Sequence, residues 1–445
     1  MERNLTTGSI WKNIFYFSLP YLLSYFLQTL YGMADLFIIG QFEGAAGTTA
    51  VSIGSQVMHM ITVIIVGLAM GTTVSIAQAV GAKDKKQASR CTGNTITLFL
   101  GVSVVLMVIL LLLVKPIVLV MSTPSEAVSG TVAYLTICFI GIPFITAYNI
   151  ISSIFRGLGD SKSPMYFIAV ACAANIALDY LFMGALHLGP SGAALGTTLS
   201  QTLSVILALI AIRKRDTGIR LTRSDLSPQT AVMGQILKIG VPIALQDGFI
   251  QIAFIIITII ANRRGLEAAA AVGIVEKIIS FLFLIPSSML STVSALGAQN
   301  IGAGKHDRVK QGFHCGMRIE AAYGVLLAVV CFAGAPFIMK LFVTDPEVIH
   351  LGVRFLRTVS LFYLMPAATN GIQGFFRGLG RLRLTMLASL LQVVLRVVLS
   401  YFLIPVWGMY GICVAVASGW VLLVLIEGSY SVRTARALTM EKRED

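Results

Sequence analysis

Apolar runs of about twenty residues, each closed by charged residues or by Gly and Pro, recur along the whole chain. They fall at roughly 13–39, 50–77, 92–114, 130–153, 165–186, 191–212, 237–261, 270–294, 316–339, 350–373, 385–404 and 409–432. A helix needs about 20 residues to cross a hydrocarbon core about 30 Å thick, and none of the runs alternates as a lipid-facing strand must. The pattern predicts an all-α integral membrane protein of twelve transmembrane helices and excludes a membrane β-barrel.

Composition agrees: 445 residues, 56% apolar, only 12% charged, mean hydropathy +0.86. The net charge of +13 would suit a nucleic-acid partner, but its distribution says otherwise. With both termini placed inside, cytoplasmic segments hold 25 of the 33 Lys and Arg, and the opposite face holds Lys115, Arg263, Arg264 and Lys340. That is the retention of positive residues in cytoplasmic loops, so the basic balance reports topology and no nucleic acid is expected. Six scattered cysteines show no metal spacing and read as packing residues. No cleavable signal peptide is expected, because the first apolar run continues past the length of such a segment.

The chain repeats itself. Phe155-Arg156-Gly157-Leu158-Gly159 returns as Phe376-Arg377-Gly378-Leu379-Gly380, Gln78-Ala79-Val80-Gly81 as Gln299-Asn300-Ile301-Gly302, and Pro20 as Pro242. An even number of spans separates the copies, so the halves share one orientation, related by a pseudo-two-fold axis along the membrane normal. The expected organisation is an N-terminal six-helix bundle over 1–212, a cytoplasmic basic linker over 213–236, and a C-terminal six-helix bundle over 237–445 ending in a short basic tail.

Ala34-Asp35-Leu36-Phe37-Ile38-Ile39-Gly40, the paired Phe-Arg-Gly-Leu-Gly turns, the Gln-x-x-Gly motifs and Asn175-x-x-x-Asp179 together resemble the multidrug and toxic compound extrusion (MATE) family over essentially the whole chain. The resemblance implies an antiporter that exchanges a proton or sodium ion for an organic, cationic or amphiphilic solute. It also carries a cation site onto Asp35, Asn175, Asp179 and Thr197.

The residues support such a site independently. Ionisable groups inside spans are costly, by about 2.5–3.5 kcal/mol at a helix centre, and those read within spans are Asp35, Asp179, Asp247, Glu276, Lys277 and Arg396. Asn175 and Asp179 share a helix face, as do Thr197 and Gln201 on the next helix. Counting from the Gly189-Pro190-Ser191-Gly192 turn puts Asp179 and Thr197 each about 10–15 Å deep, with Asp35 able to join them. Two close carboxylates cannot both hold a charge cheaply in low dielectric, so the set would carry a proton or cage a hard cation such as sodium. A carboxylate that merely locks two helices together is the other reading. At the repeat-equivalent positions stand Ile257, Arg396, Ser400 and Val416, which confines coupling to the first half.

Further polar candidates for the substrate cavity or the second half are Gln28, Gln201, Asp247, Glu276, Lys277 and Arg396. Glu276 and Arg396 lie at similar depth and suit either an ion pair or substrate contact. Pro20, Pro143, Pro242, Pro286 and Pro366 can kink their helices.

No GxxxxGK[ST] loop is present, so the drive must be an ion gradient. Five histidines without metal spacing give no enzyme signature. A flippase for a lipid-linked polar headgroup is the main alternative, but it would want several cations in its cavity, where the first half is acidic. The expectation is a non-enzymatic, monomeric, multi-pass protein of the plasma (inner) membrane with both termini cytoplasmic. It would need no cofactor beyond H+ or Na+ as coupling ion, and its partners would be small organic substrates and the lipid bilayer.

Overall fold

The predicted runs appear as helices in a computed structural model that describes residues 4–214, 221–262 and 266–440. In chain order these are α1 (Ile10–Phe42), α2 (Ala45–Gly81), α3 (Lys85–Val120), α4 (Ser125–Ile140), α5 (Ile142–Gly157), α6 (Lys162–Asp179) and α7 (Gly189–Lys214), followed by α8 (Thr230–Asn262), α9 (Leu266–Leu282), α10 (Leu284–Gly302), α11 (His306–Lys340), α12 (Pro346–Ser360), α13 (Leu364–Leu379), α14 (Arg383–Trp407) and α15 (Met409–Met440). No strand occurs among the described residues. Among the described residues ten spans are long and apolar enough to cross a bilayer, and with the two bent pairs, α4 with α5 and α12 with α13, each taken as one span the number is twelve. The protein is an all-α, multi-pass membrane protein.

The two bends have local causes. α4 and α5 meet at 49° across Gly141, where Pro143 lacks the N–H that would continue the ladder, and α12 and α13 meet at 51° just before Pro366. Pro286 likewise sits at the α9–α10 junction, whereas Pro20 and Pro242 lie within the unbroken helices α1 and α8. Many helices outrun their apolar windows because their polar flanking turns stay helical. One result is that α8 begins at Thr230, inside the stretch read as linker; of that linker, 215–220 lies outside the described residues, as do Arg263, Arg264, Lys442 and Arg443.

The chain divides into two compact units. One comprises Met1–Asn4 and Leu19–Ala244, the other Leu5–Ser18 and Leu245–Asp445. Each unit has its own apolar core: Ile38, Val51, Leu135, Phe139 and Ile142 are among the buried residues of the first, and Ile257, Val275, Leu356, Val359 and Val416 of the second. All six cysteines are buried and free, as the packing reading expects.

The repeated Phe-Arg-Gly-Leu-Gly motif has the same physical meaning in both units. Its first glycine lets two helices touch: a Cβ on Gly157 would stand 3.0 Å from the Thr73 carbonyl oxygen, and one on Gly378 would stand 2.8 Å from that of Ser294. Close approach through small residues is how helices associate where lipid supplies no hydrophobic drive. The second glycine, Gly159 or Gly380, takes a left-handed φ of 91° or 69° where the helix ends.

Each unit also clasps a leading segment. In the second, Gln299 Oε1 accepts the Leu5 N–H at 3.1 Å, Lys305 Nζ donates to the Thr6 carbonyl at 2.8 Å, and Arg308 Nη1 donates to that of Gly8 at 3.0 Å. In the first, Asn94 donates to the Asp225 carbonyl at 3.2 Å and accepts from the Gln229 N–H at 2.7 Å. The Thr222 hydroxyl and N–H both donate to the Asp225 carboxylate, at 2.6 and 2.9 Å, and hold its pKa below the ordinary value.

Candidate functional site

Three helices of the first unit bring the predicted residues together. Asp35 stands on α1, seven residues before its end; Asn175 and Asp179 occupy one face of α6; Thr197 lies on α7. α6 ends at Asp179, where the backbone changes to a six-residue π turn, Tyr180–Ala185, with Leu186 N–H donating to the Leu181 carbonyl at 2.9 Å. Such turns concentrate at functional sites because they re-aim the neighbouring side chains. Gly196 then lets α7 approach: a Cβ there would overlap Asp179 Oδ1 and touch Asn175 Nδ2 at 3.5 Å.

The four side chains are all buried. Thr197 Oγ1 donates to Asp35 Oδ2 at 3.1 Å, and the carboxyl groups of Asp35 and Asp179 are close neighbours with Asn175 beside both. Little else satisfies them. Among the described residues, Asp35 Oδ1, both Asp179 carboxyl oxygens and both polar atoms of the Asn175 amide have no hydrogen-bond partner, nor has Gln201 Oε1 one turn beyond Thr197. No Lys or Arg among the described residues pairs with either carboxylate. Buried polar atoms are nearly always partnered, so this cluster of hard oxygen donors is chemically unfinished in a way that a proton or a small hard cation would complete.

The sequence reading missed the tyrosine wall around this cluster. Tyr31, one turn before Asp35, donates its hydroxyl to the Thr197 carbonyl at 3.0 Å and contacts Ser200 Oγ at 2.9 Å. Tyr134, bonded to Ser55 at 3.2 Å, is also near Asp35. The i, i+4 spacing of Tyr31 and Asp35 was the available signal. Gln28 lies elsewhere in the unit, against Tyr148.

In the second unit the equivalent positions form no oxygen cluster. Ile257 and Val416 belong to the apolar core, Ser400 is buried, and Arg396 lays its guanidinium over the Phe254 ring at 4.9 Å with Glu276 in electrostatic reach. Lys277 is exposed. Asp247 pairs instead with Arg377, whose Nη2 donates to Oδ1 at 2.7 Å. The ionisable groups within spans also include two that the sequence reading passed over. Glu320 and Glu427 are both fully buried, on α11 and α15, inside the apolar runs 316–339 and 409–432.

Comparison with known proteins places this architecture. The MatE family model matches residues 20–181 and 242–402, one copy in each half. The probable multidrug resistance protein YoeA of Bacillus subtilis is 28% identical over 438 residues, covering 95% of this chain and 94% of that one. The multidrug export protein MepA of Staphylococcus haemolyticus is 26% identical, covering 84% and 81%. Among solved structures, a MATE protein in its bent conformation superposes with a TM-score of 0.93 at 23% identity over 98% of both chains. An outward-facing MATE family transporter gives 0.91 at 22%.

Proposed function

Because the chain belongs to the MatE family, we propose that it is an ion-coupled antiporter of the plasma membrane. It would export organic, cationic or amphiphilic solutes by alternating access, with both termini in the cytoplasm. Its relatives YoeA and MepA carry names that describe multidrug resistance and export, which supports the class of cargo. Coupling to H+ or Na+ is assigned to Asp35, Asn175, Asp179 and Thr197.

One observation carries this assignment: two buried carboxyl groups adjoin each other with most of their oxygens unpartnered and no fixed cation beside them. Both cannot be charged at once without a guest, since like charges at close range in low dielectric repel strongly. A proton or sodium ion relieves that repulsion, and its loss restores it. The site therefore has two states of different electrostatic energy, as a coupling ion requires. If one conformer binds the ion more tightly by about 1.4 kcal/mol, occupancy shifts the conformational ratio tenfold. A flippase for an anionic headgroup would instead need fixed cations at this place.

The test is export of a fluorescent organic cation from proteoliposomes under imposed proton or sodium gradients. Asp35→Asn and Asp179→Asn keep size and hydrogen bonding but remove the titratable group. Each should abolish the response to the gradient in protein that still folds, and full gradient-driven export by both variants would overturn the assignment.

A further inference from the structure

Arg377 sits between two carboxylates in the second unit. Its Nη2 holds Asp247 Oδ1 at 2.7 Å, and it is within electrostatic reach of Glu427. Gln373, one turn before Arg377 on the same face of α13, donates Nε2 to Glu427 Oε1 at 3.2 Å. One helical turn is about 5.4 Å, a displacement that a long, flexible arginine side chain spans by changing rotamer. Arg377 Nε and Glu427 Oε2 are buried, and among the described residues neither has a hydrogen-bond partner. A donor on Arg377 and an acceptor on Glu427 thus stand without partners in two side chains that feel each other's charge. The Asp247 end is the accessible one: its side chain is 24% exposed and that of Arg377 is 7%.

The repeat shows that the arginine can be seated without these acids. Arg156, its counterpart, lies over the Tyr21 ring at 4.4 Å with Tyr25 and Tyr148 nearby. Tyr25 is the counterpart of Asp247 at the Pro20-to-Pro242 offset, and Ala208 that of Glu427 at the Thr197-to-Val416 offset. The flanking carboxylates therefore belong to the second half alone.

We propose that Asp247, Arg377 and Glu427 form an exchange site for an organic cation: the cation takes the half-buried Asp247 carboxylate, the more accessible of the two, and Arg377 moves its guanidinium to the unpartnered Oε2 of Glu427. Arg377 is the built-in competitor of the ligand, and Glu427 the acceptor that lets it leave. With all three groups charged the set carries one net negative charge, which an incoming cation neutralises. This rests on the export reading for its cargo but uses none of the residues assigned to ion coupling.

The test is calorimetric titration of tetraphenylphosphonium into the purified full-length protein, with folding of each variant checked by thermal unfolding. Wild type should bind, and Asp247→Asn should weaken binding at least tenfold. Glu427→Gln should weaken it by a similar factor, because the displaced arginine loses its acceptor. Arg377→Gln should tighten binding at least threefold, and Arg377→Gln combined with Glu427→Gln should recover at least wild-type affinity. A purely structural network predicts no tightening and no recovery. Weaker binding by Arg377→Gln, or binding by wild type that Asp247→Asn leaves unchanged, overturns the exchange site alone. No binding by wild type overturns the organic-cation reading with it. If Glu427→Gln does not fold, the opposite signs expected for Asp247→Asn and Arg377→Gln decide the matter.

Discussion

Gly196 touches the proposed ion site with no chemistry of its own, so Gly196→Ala tests geometry alone. The added methyl would overlap Asp179 Oδ1 and press on Asn175 Nδ2. Overfilling a packed site costs about 1–3 kcal/mol when neighbours must move. An empty site can absorb the methyl by rotating the Asp179 carboxyl, whose oxygens have no hydrogen bonds to lose. An occupied site cannot, because its oxygens must converge on the guest. The penalty therefore falls on the ion-bound form, and about 1–3 kcal/mol corresponds to a loss of about 5- to 150-fold in apparent ion affinity. The assay is the ion concentration giving half-maximal export in proteoliposomes, with thermal unfolding measured alongside. Gly101→Ala is the control, since a Cβ at Gly101 meets nothing within 4 Å. Folded Gly196→Ala protein with wild-type ion dependence would refute the placement of the guest between α6 and α7.

Under a sodium gradient Thr197→Val, which removes the hydroxyl that donates to Asp35 at 3.1 Å while keeping shape, should raise the half-maximal sodium concentration about two- to twelvefold, from the ~0.5–1.5 kcal/mol of a neutral hydrogen bond. Glu320→Met should stabilise the protein by about 1–3 kcal/mol in chemical or thermal unfolding, because both Glu320 oxygens are buried and, among the described residues, unpartnered. The Asp225 carboxylate has a folded pKa below its unfolded value, so its contribution to the clasp is present above the ordinary carboxylate range and is lost as pH falls through the folded value; proteolysis near 221–229 should rise at acid pH, and Asp225→Asn should be cut readily at neutral pH too. Cysteines introduced at Ser191 and at Thr217, the latter outside the described residues, should label from opposite faces of intact cells.

The spans were legible because a bilayer imposes one length and one composition on whatever crosses it. The convergence of Asp35, Asn175, Asp179 and Thr197 was legible because i, i+4 spacing on two helices joined by a short turn fixes the relative depth of their side chains by residue count alone. Arg377 was misread for an instructive reason: its motif looked like a turn, and only the first glycine is inside the helix while the second ends it, which leaves the arginine buried in the last turn of α13. Glu320 and Glu427 were visible as acids inside the apolar runs 316–339 and 409–432. The π turn after Asp179 has no signature in residue type. The closeness of Gly196 to Asp179 was hidden likewise, as a glycine in a membrane helix is too common to point anywhere by itself.

Helices α1 and α8 each give their first turns to one unit and their remainder to the other, dividing at Leu19 and Leu245. The duplicated halves of the gene are therefore different objects from the packed units. A polypeptide stopping at 229 would carry residues 5–18 without Gln299, Lys305 and Arg308 to hold them. One starting at 230 would carry the first turns of α8 without the α2 glycines, such as Gly71, against which they rest. A single copy of the repeat would thus lack the residues that receive its leading segment, and neither sequence half contains all the contacts of a packed unit.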